Sequence, residues 1–186
     1  SAEIYNNLGV ILNNFGRFDK AEIIYKKAIE LKRNFVECYI NLAITLKALG
    51  KIDEAEIYYK KAIELKTKYT VDAYNNLGNM LMENERLDEA EPNLKKAIEL
   101  KPDYAEAYNN LGNTFTQLKK FEEAEISFKK SIELKPDYAK AYNNLGISFK
   151  KNNKIEEAEV NYKKAIKLKP DFAEAYNNLG LTLQAL

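Results

Sequence analysis

Residues 105–138 read AEAYNNLGNTFTQLKKFEEAEISFKKSIELKPDY, and the way this stretch recurs decides the architecture. Its AYNNLG segment ends at Gly112, and the same six letters end at Gly78, Gly146 and Gly180, at intervals of 34 residues. Working backward, YINLA puts Ala43 in the glycine slot 35 residues before Gly78, and YNNLG ends at Gly9, 34 residues earlier. A fixed period of this size marks a solenoid whose units pack mainly on their neighbours. A single array over 1–186 is expected, with units at 2–35, 36–70, 71–104, 105–138 and 139–172 and a terminal helix at 173–186. The one extra residue belongs in the turn near Thr70, where an insertion costs least.

Apolar spacing splits each unit into two helices. In the quoted unit Tyr108, Leu111, Gly112 and Phe115 follow the i, i+3, i+4, i+7 pattern of one helix face. Phe121, Ala124, Phe128, Ser131, Ile132 and Leu134 form a second stripe. The turn between them holds Gly16 and Gly50 in the first two units, suited to a left-handed helix-ending residue, and Glu85, Lys119 and Asn153 later. Asp19/Glu22, Asp53/Glu56 and Asp88/Glu91 have capping-box spacing for second helices, as do Asn34/Glu37, Asp103/Glu106 and Asp171/Glu174 for first helices. Pro102, Pro136 and Pro170 stand where second helices stop. Pro92 falls inside a second helix, near its start, and is expected to tighten or bend it without breaking it. Small residues recur where two helices must approach closely: Ala21, Ala55, Ala90, Ala124 and Ala158 in one slot, the Gly9 to Gly180 series in another.

Composition narrows the function. With 29 Lys+Arg against 28 Asp+Glu the net charge is +1, which provides no global field for nucleic acid or anionic membrane. No apolar run approaches a bilayer span and no basic-then-apolar leader opens the chain, so a cytoplasmic location is expected. Opening on Ser1 instead of Met is what an excised piece of a longer chain would show. There is no His, and Cys38 is the only Cys. That leaves no disulfide, no zinc site of the usual ligand sets, no cofactor motif and no His-based general base, so no catalytic or metal residue is nominated.

Tyr108, Leu111, Gly112, Phe115, Ala124, Phe128, Ser131 and Pro136, in that spacing and repeated along the chain, resemble the tetratricopeptide repeat family. The wording of the repeats is also similar to those of O-GlcNAc transferase-like and bacterial proteins of that family. Tyr stands where the family usually has Trp, the first two units lack the terminal Pro, and Leu94 replaces an aromatic. The resemblance implies an all-α, right-handed superhelical solenoid of helix-turn-helix hairpins, five repeats plus one extra helix. It further implies a concave groove lined by first helices and a protein-binding role without catalysis.

Carried onto this chain slot by slot, the groove would present two amide columns. One is Asn7, Asn41, Asn76, Asn110, Asn144 and Asn178. The other is Asn6, Asn75, Asn109, Asn143 and Asn177, with Ile40 in the second unit. One turn further lie Val10, Ile44, Asn79, Asn113, Ile147 and Leu181. Amides both donate and accept, so such columns could hold an extended peptide backbone. The competing reading has the first-named column bonding backbone between hairpins. Chaperone C-termini are not expected as ligands, because Asn6 and Asn76 occupy slots where that subfamily needs Lys and Arg. Lys140, Lys150 and Lys151 are read as a small basic area, and Glu22/Lys26 and its four equivalents as i, i+4 helix pairs. The expected role is a scaffold for extended or helical protein segments. The alternatives are a self-associating array, joined end to end through Tyr176, Leu179, Leu183 and Leu186, or the repeat portion of a larger transferase. RNA binding is opposed by the column Glu3, Glu37, Asp72, Glu106 and Glu174.

Overall fold

The computed structural model describes residues 1–184. They form eleven helices and no strand: α1 (Ala2–Asn14), α2 (Phe18–Leu31), α3 (Val36–Ala48), α4 (Ile52–Glu64), α5 (Thr70–Glu83), α6 (Leu87–Leu100), α7 (Ala105–Gln117), α8 (Phe121–Leu134), α9 (Ala139–Lys151), α10 (Ile155–Leu168) and α11 (Ala173–Leu183). Leu186, expected among the uncovered apolar side chains, lies outside the described residues. The backbone groups into two compact units, residues 1–80 and 81–186, with the boundary inside α5.

Within residues 1–80 the hairpins follow the repeat: α1 packs on α2, α3 on α4, and α2 reaches on to α3. Within residues 81–186 α7 packs on α8 and α9 on α10, while α8 also meets α9 and α10 meets α11. Each hairpin closes around small residues. Ala21, Ala55, Ala90, Ala124 and Ala158 have no exposed surface, nor do Tyr25, Phe128 and Tyr162 on the same helices. A Cβ added to Gly112 would sit 2.7 Å from Phe128 Cε1, and one on Gly146 would sit 2.7 Å from Tyr162 Cε1. In these two hairpins the slot is filled by the ring that lies on it, whereas the second unit holds Ala43 there. Around these rings in residues 81–186 gather Leu94, Leu111, Phe115, Leu145 and Phe149, which form the core.

The turns are left-handed as the sequence suggested: Gly16 (φ 69°), Gly50 (φ 75°), Glu85 (φ 61°), Lys119 (φ 59°) and Asn153 (φ 58°). Helix α4 ends at Glu64, and Lys66 turns with φ 47° before Thr70 opens α5. The Thr70 hydroxyl accepts the Thr67 N–H at 2.9 Å and fixes this turn. Pro92 leaves α6 one continuous helix of 14 residues.

The capping boxes do not form. Second helices start on Phe18, Ile52 and Leu87, with Arg17, Lys51 and Arg86 as N-caps that make no side-chain capping bond. Asp19, Asp53 and Asp88 are thereby drawn into the first turn, where a carboxylate still favours the positive helix end. First helices begin behind an aromatic cap at Phe35, Tyr104, Tyr138 and Phe172. In α7, α9 and α11 the first helical N–H bonds two residues back, to the carbonyls of Asp103, Asp137 and Asp171.

Candidate peptide-binding face

First helices carry the amides, and their neighbours decide where those amides point. Asn6 and Asn75 are buried, and Asn109 and Asn143 have no exposed surface. Asn41 Nδ2 donates to Asn6 Oδ1, Asn144 Nδ2 to Asn109 Oδ1 and Asn178 Nδ2 to Asn143 Oδ1, each at 3.0 Å. The two columns therefore meet each other across successive repeats, 35 residues apart, and form rungs between repeats. Asn143 Nδ2 also donates to Glu174 Oε1 at 3.0 Å.

This placement corrects the sequence reading of the inner column. Asn6, Asn109 and Asn143 are not an open groove floor, because each amide oxygen takes a bond from the next first helix, and Asn75 is likewise buried. Only Asn177 of that column is exposed. Ile40 occupies the slot in the second unit, is 7% exposed and has no polar group with which to accept a rung. In the other column Asn110 and Asn144 are buried, Asn41, Asn76 and Asn178 half-buried, and Asn7 exposed. Asn75 Nδ2 approaches Asn76 Oδ1 at 3.5 Å, and Asn109 Nδ2 approaches Asn110 Oδ1 at 3.4 Å.

The third column stays accessible. Within residues 1–80 Val10 is 37% and Ile44 42% exposed, while Asn79 is half-buried. Within residues 81–186 Asn113 and Ile147 are half-buried and Leu181 is 50% exposed. Each unit thus keeps exposed apolar side chains on its first helices, Val10 and Ile44 in residues 1–80 and Leu181 in residues 81–186. Lys140 does not join Lys150 and Lys151 in one basic area. It lies in the first turn of α9 and they lie in the last, roughly 15 Å apart at 1.5 Å per residue.

Charge on the second helices is more connected than the helix pairs alone. Glu22 is bonded by Lys26 of its own helix at 2.6 Å and by Lys51 of the next repeat at 2.8 Å. Glu91 takes Lys95 at 2.6 Å and Lys120 at 3.1 Å, and Glu125 takes Lys129 at 2.6 Å and Lys154 at 3.6 Å. Burial alone would raise the Glu22 carboxyl, but the two lysines hold it below its ordinary value. Glu91 and Glu125 are lowered by Lys95 and Lys129 first, against burial, with Lys120 and Lys154 adding to the effect. A signal for the second lysine was present in the sequence, since Lys51, Lys120 and Lys154 share one slot just before a second helix.

Cys38 is fully buried, its thiol 3.5 Å from the Tyr25 carbonyl and pushed up to about 12 by burial and by Glu37. It is a packed side chain and not an activated nucleophile. Among the described residues no three metal-ligating side chains converge, and no helix is long and apolar enough to cross a membrane. A hollow of about 460 Å³ lies against second helices between Lys129 and Val160, away from the third column.

Pairs of short helices, three of them with an aromatic ring on a glycine and several joined by amide rungs, define a helical-hairpin repeat protein. Tetratricopeptide repeat profiles match residues 1–68, 69–137 and 127–160, and a TPR repeat profile matches 148–186. The chain belongs to the tetratricopeptide repeat family. No curated protein matches it significantly. Among solved structures it is similar to YrrB, described as a TPR protein with an unusual peptide-binding site, at 26% identity and a TM-score of 0.70, covering 100% of this chain and 93% of that one. It is also similar to MamA, at 29% identity and a TM-score of 0.73, covering 93% and 94%. TTC0263 of Thermus thermophilus shares the fold at a TM-score of 0.82 and 24% identity, covering 99% and 100%.

Proposed function

We propose that the chain is a scaffold whose first helices bind extended or helical peptide segments, through Val10 and Ile44 within residues 1–80 and through Ile147 and Leu181 within residues 81–186. The observation that carries this is the accessibility of Val10, Ile44 and Leu181, beside half-buried Asn113 and Ile147, on first helices whose Leu42, Leu77, Leu111 and Leu145 are buried. Mixed apolar and amide contacts suit a peptide held by side-chain burial, with amides taking backbone groups. YrrB, similar over the whole chain, is described as having a peptide-binding site, which supports a peptide as the ligand class. The rungs serve this role indirectly, by fixing the spacing of the helices that present the column.

The test is a peptide array followed by fluorescence anisotropy on the hits. Val10→Asp with Ile44→Asp, and separately Leu181→Asp, should each weaken a bound peptide about tenfold or more, since each places a charge in an apolar contact. Circular dichroism should be unchanged, because all three side chains are exposed. An array without hits, or hits indifferent to all three substitutions, would remove the proposal.

A further inference from the structure

Helices α8 and α10 each carry one large apolar side chain in open solvent, Ile126 at 69% and Val160 at 65% exposure. The ends of the chain do not cause this, because α8 already packs on α7 and α9, and α10 on α9 and α11. Within residues 1–80 the same slot holds Ile23 on α2 and Ile57 on α4, and both are exposed. One surface isoleucine needs no explanation. Here, however, none of the five second helices places a polar residue in the slot, Pro92 filling it in α6, although the positions one turn to either side are all charged.

Those charges are set symmetrically about the apolar residue and with opposite sign. Glu122 and Glu123 stand four and three residues before Ile126, and Lys129 and Lys130 three and four after it. Glu156 and Glu157, then Lys163 and Lys164, frame Val160 in the same way. One hollow is lined by Glu125 and Lys129 on one side and by Glu157 and Asn161 on the other, so α8 and α10 run in the same sense and their bands line up. The face thus carries a carboxylate band, an apolar band and a lysine band. Against a copy of itself with the helices antiparallel, Ile126 meets Ile126, Glu122 falls opposite Lys130 and Glu123 opposite Lys129. A parallel arrangement would set like charges against each other. Among the described residues no cation pairs with Glu122, Glu123, Glu156 or Glu157, and all four are exposed. We infer that the exposed side of α8 and α10 is the contact of a symmetric dimer, in which these helices of two copies pack antiparallel. Any other protein would need the mirrored order of charges to match this face, and the chain itself already has it. With one apolar side chain per helix the contact is small, so the dimer is weak and sensitive to salt. This inference is independent of the peptide-binding reading, which concerns first helices.

The test is sedimentation velocity on the full chain from micromolar into millimolar concentration. At low salt a reversible monomer–dimer equilibrium is expected, weakened several-fold by added salt as the bands are screened. Ile126→Lys with Val160→Lys should weaken it about tenfold or more. Both side chains are exposed, so circular dichroism should show the parent's helix content. Glu122→Lys with Glu156→Lys should also dissociate the dimer, by opposing lysine to lysine. Adding Lys130→Glu with Lys164→Glu to that variant should restore it. A chain that stays monomeric throughout overturns the inference and leaves the face to a different protein. A dimer indifferent to Ile126→Lys with Val160→Lys overturns it as well. So does a charge reversal that the second pair of substitutions fails to rescue, since the bands would then not oppose each other.

Discussion

Asn109 has no exposed surface and accepts the Asn144 amide at 3.0 Å. Replacing it with Ala removes the acceptor and leaves a buried donor without its partner, which should cost about 1–3 kcal/mol. The same change at exposed Asn177 should cost less than about 0.5 kcal/mol. Urea unfolding of the two variants checks both values, and a double-mutant cycle with Asn144→Ala isolates the rung. If Asn109→Ala is as mild as Asn177→Ala, the rung is not structural. No property of a single unit distinguishes these two asparagines, which stand in identical AYNNLG segments. What separates them is the Asn144 amide that closes over Asn109, and that is visible only when repeats are placed side by side. This is why the inner column reads as a groove floor from sequence, although Asn109 and Asn143 are enclosed.

At the scale of the helix pair, the glycine slot is the tightest point. In Gly112→Ala the new methyl would lie 2.7 Å from a ring with no exposed surface, so the ring or the helix must shift. A destabilisation of about 1–3 kcal/mol is expected, as for other overpacked cores. Gly180→Ala meets nothing and should stabilise α11 by up to about 1 kcal/mol through helix propensity. Thermal melts of the pair test this; equal effects would mean that the ring does not limit the slot. The hairpins themselves were legible in the sequence because period, small-residue slots and turn glycines all agree. Helix starts were less so. Asp and Glu three apart look the same whether the Asp caps the helix or sits in its first turn, and here Arg17, Lys51 and Arg86 take the cap.

Across the whole molecule, the carboxylates of Glu22, Glu91 and Glu125 repeat one arrangement, each held by a lysine of its own helix and one of the next repeat. All three are lowered below the ordinary value of 4.5. A depressed carboxyl contributes stability that is fully present above its unfolded value and is lost as pH falls through its native one. The triple variant Glu22→Gln, Glu91→Gln, Glu125→Gln should therefore melt below the parent at pH 7. The gap should close as the pH drops under 4.5. A gap that persists unchanged into acid would show that lost packing, not lost charge, separates the two proteins.

The rungs join residues 35 apart, and the glutamate-to-lysine contacts join residues 29 apart. Both intervals come from the period and not from any one unit. A duplication that inserts a whole unit would reproduce each partner at its proper distance, and a deletion of one would do the same. Adding one or two residues within a helix would instead rotate every later side chain away from its mate. Such a protein can change its length freely in steps of one unit or within its turns, but hardly within a helix.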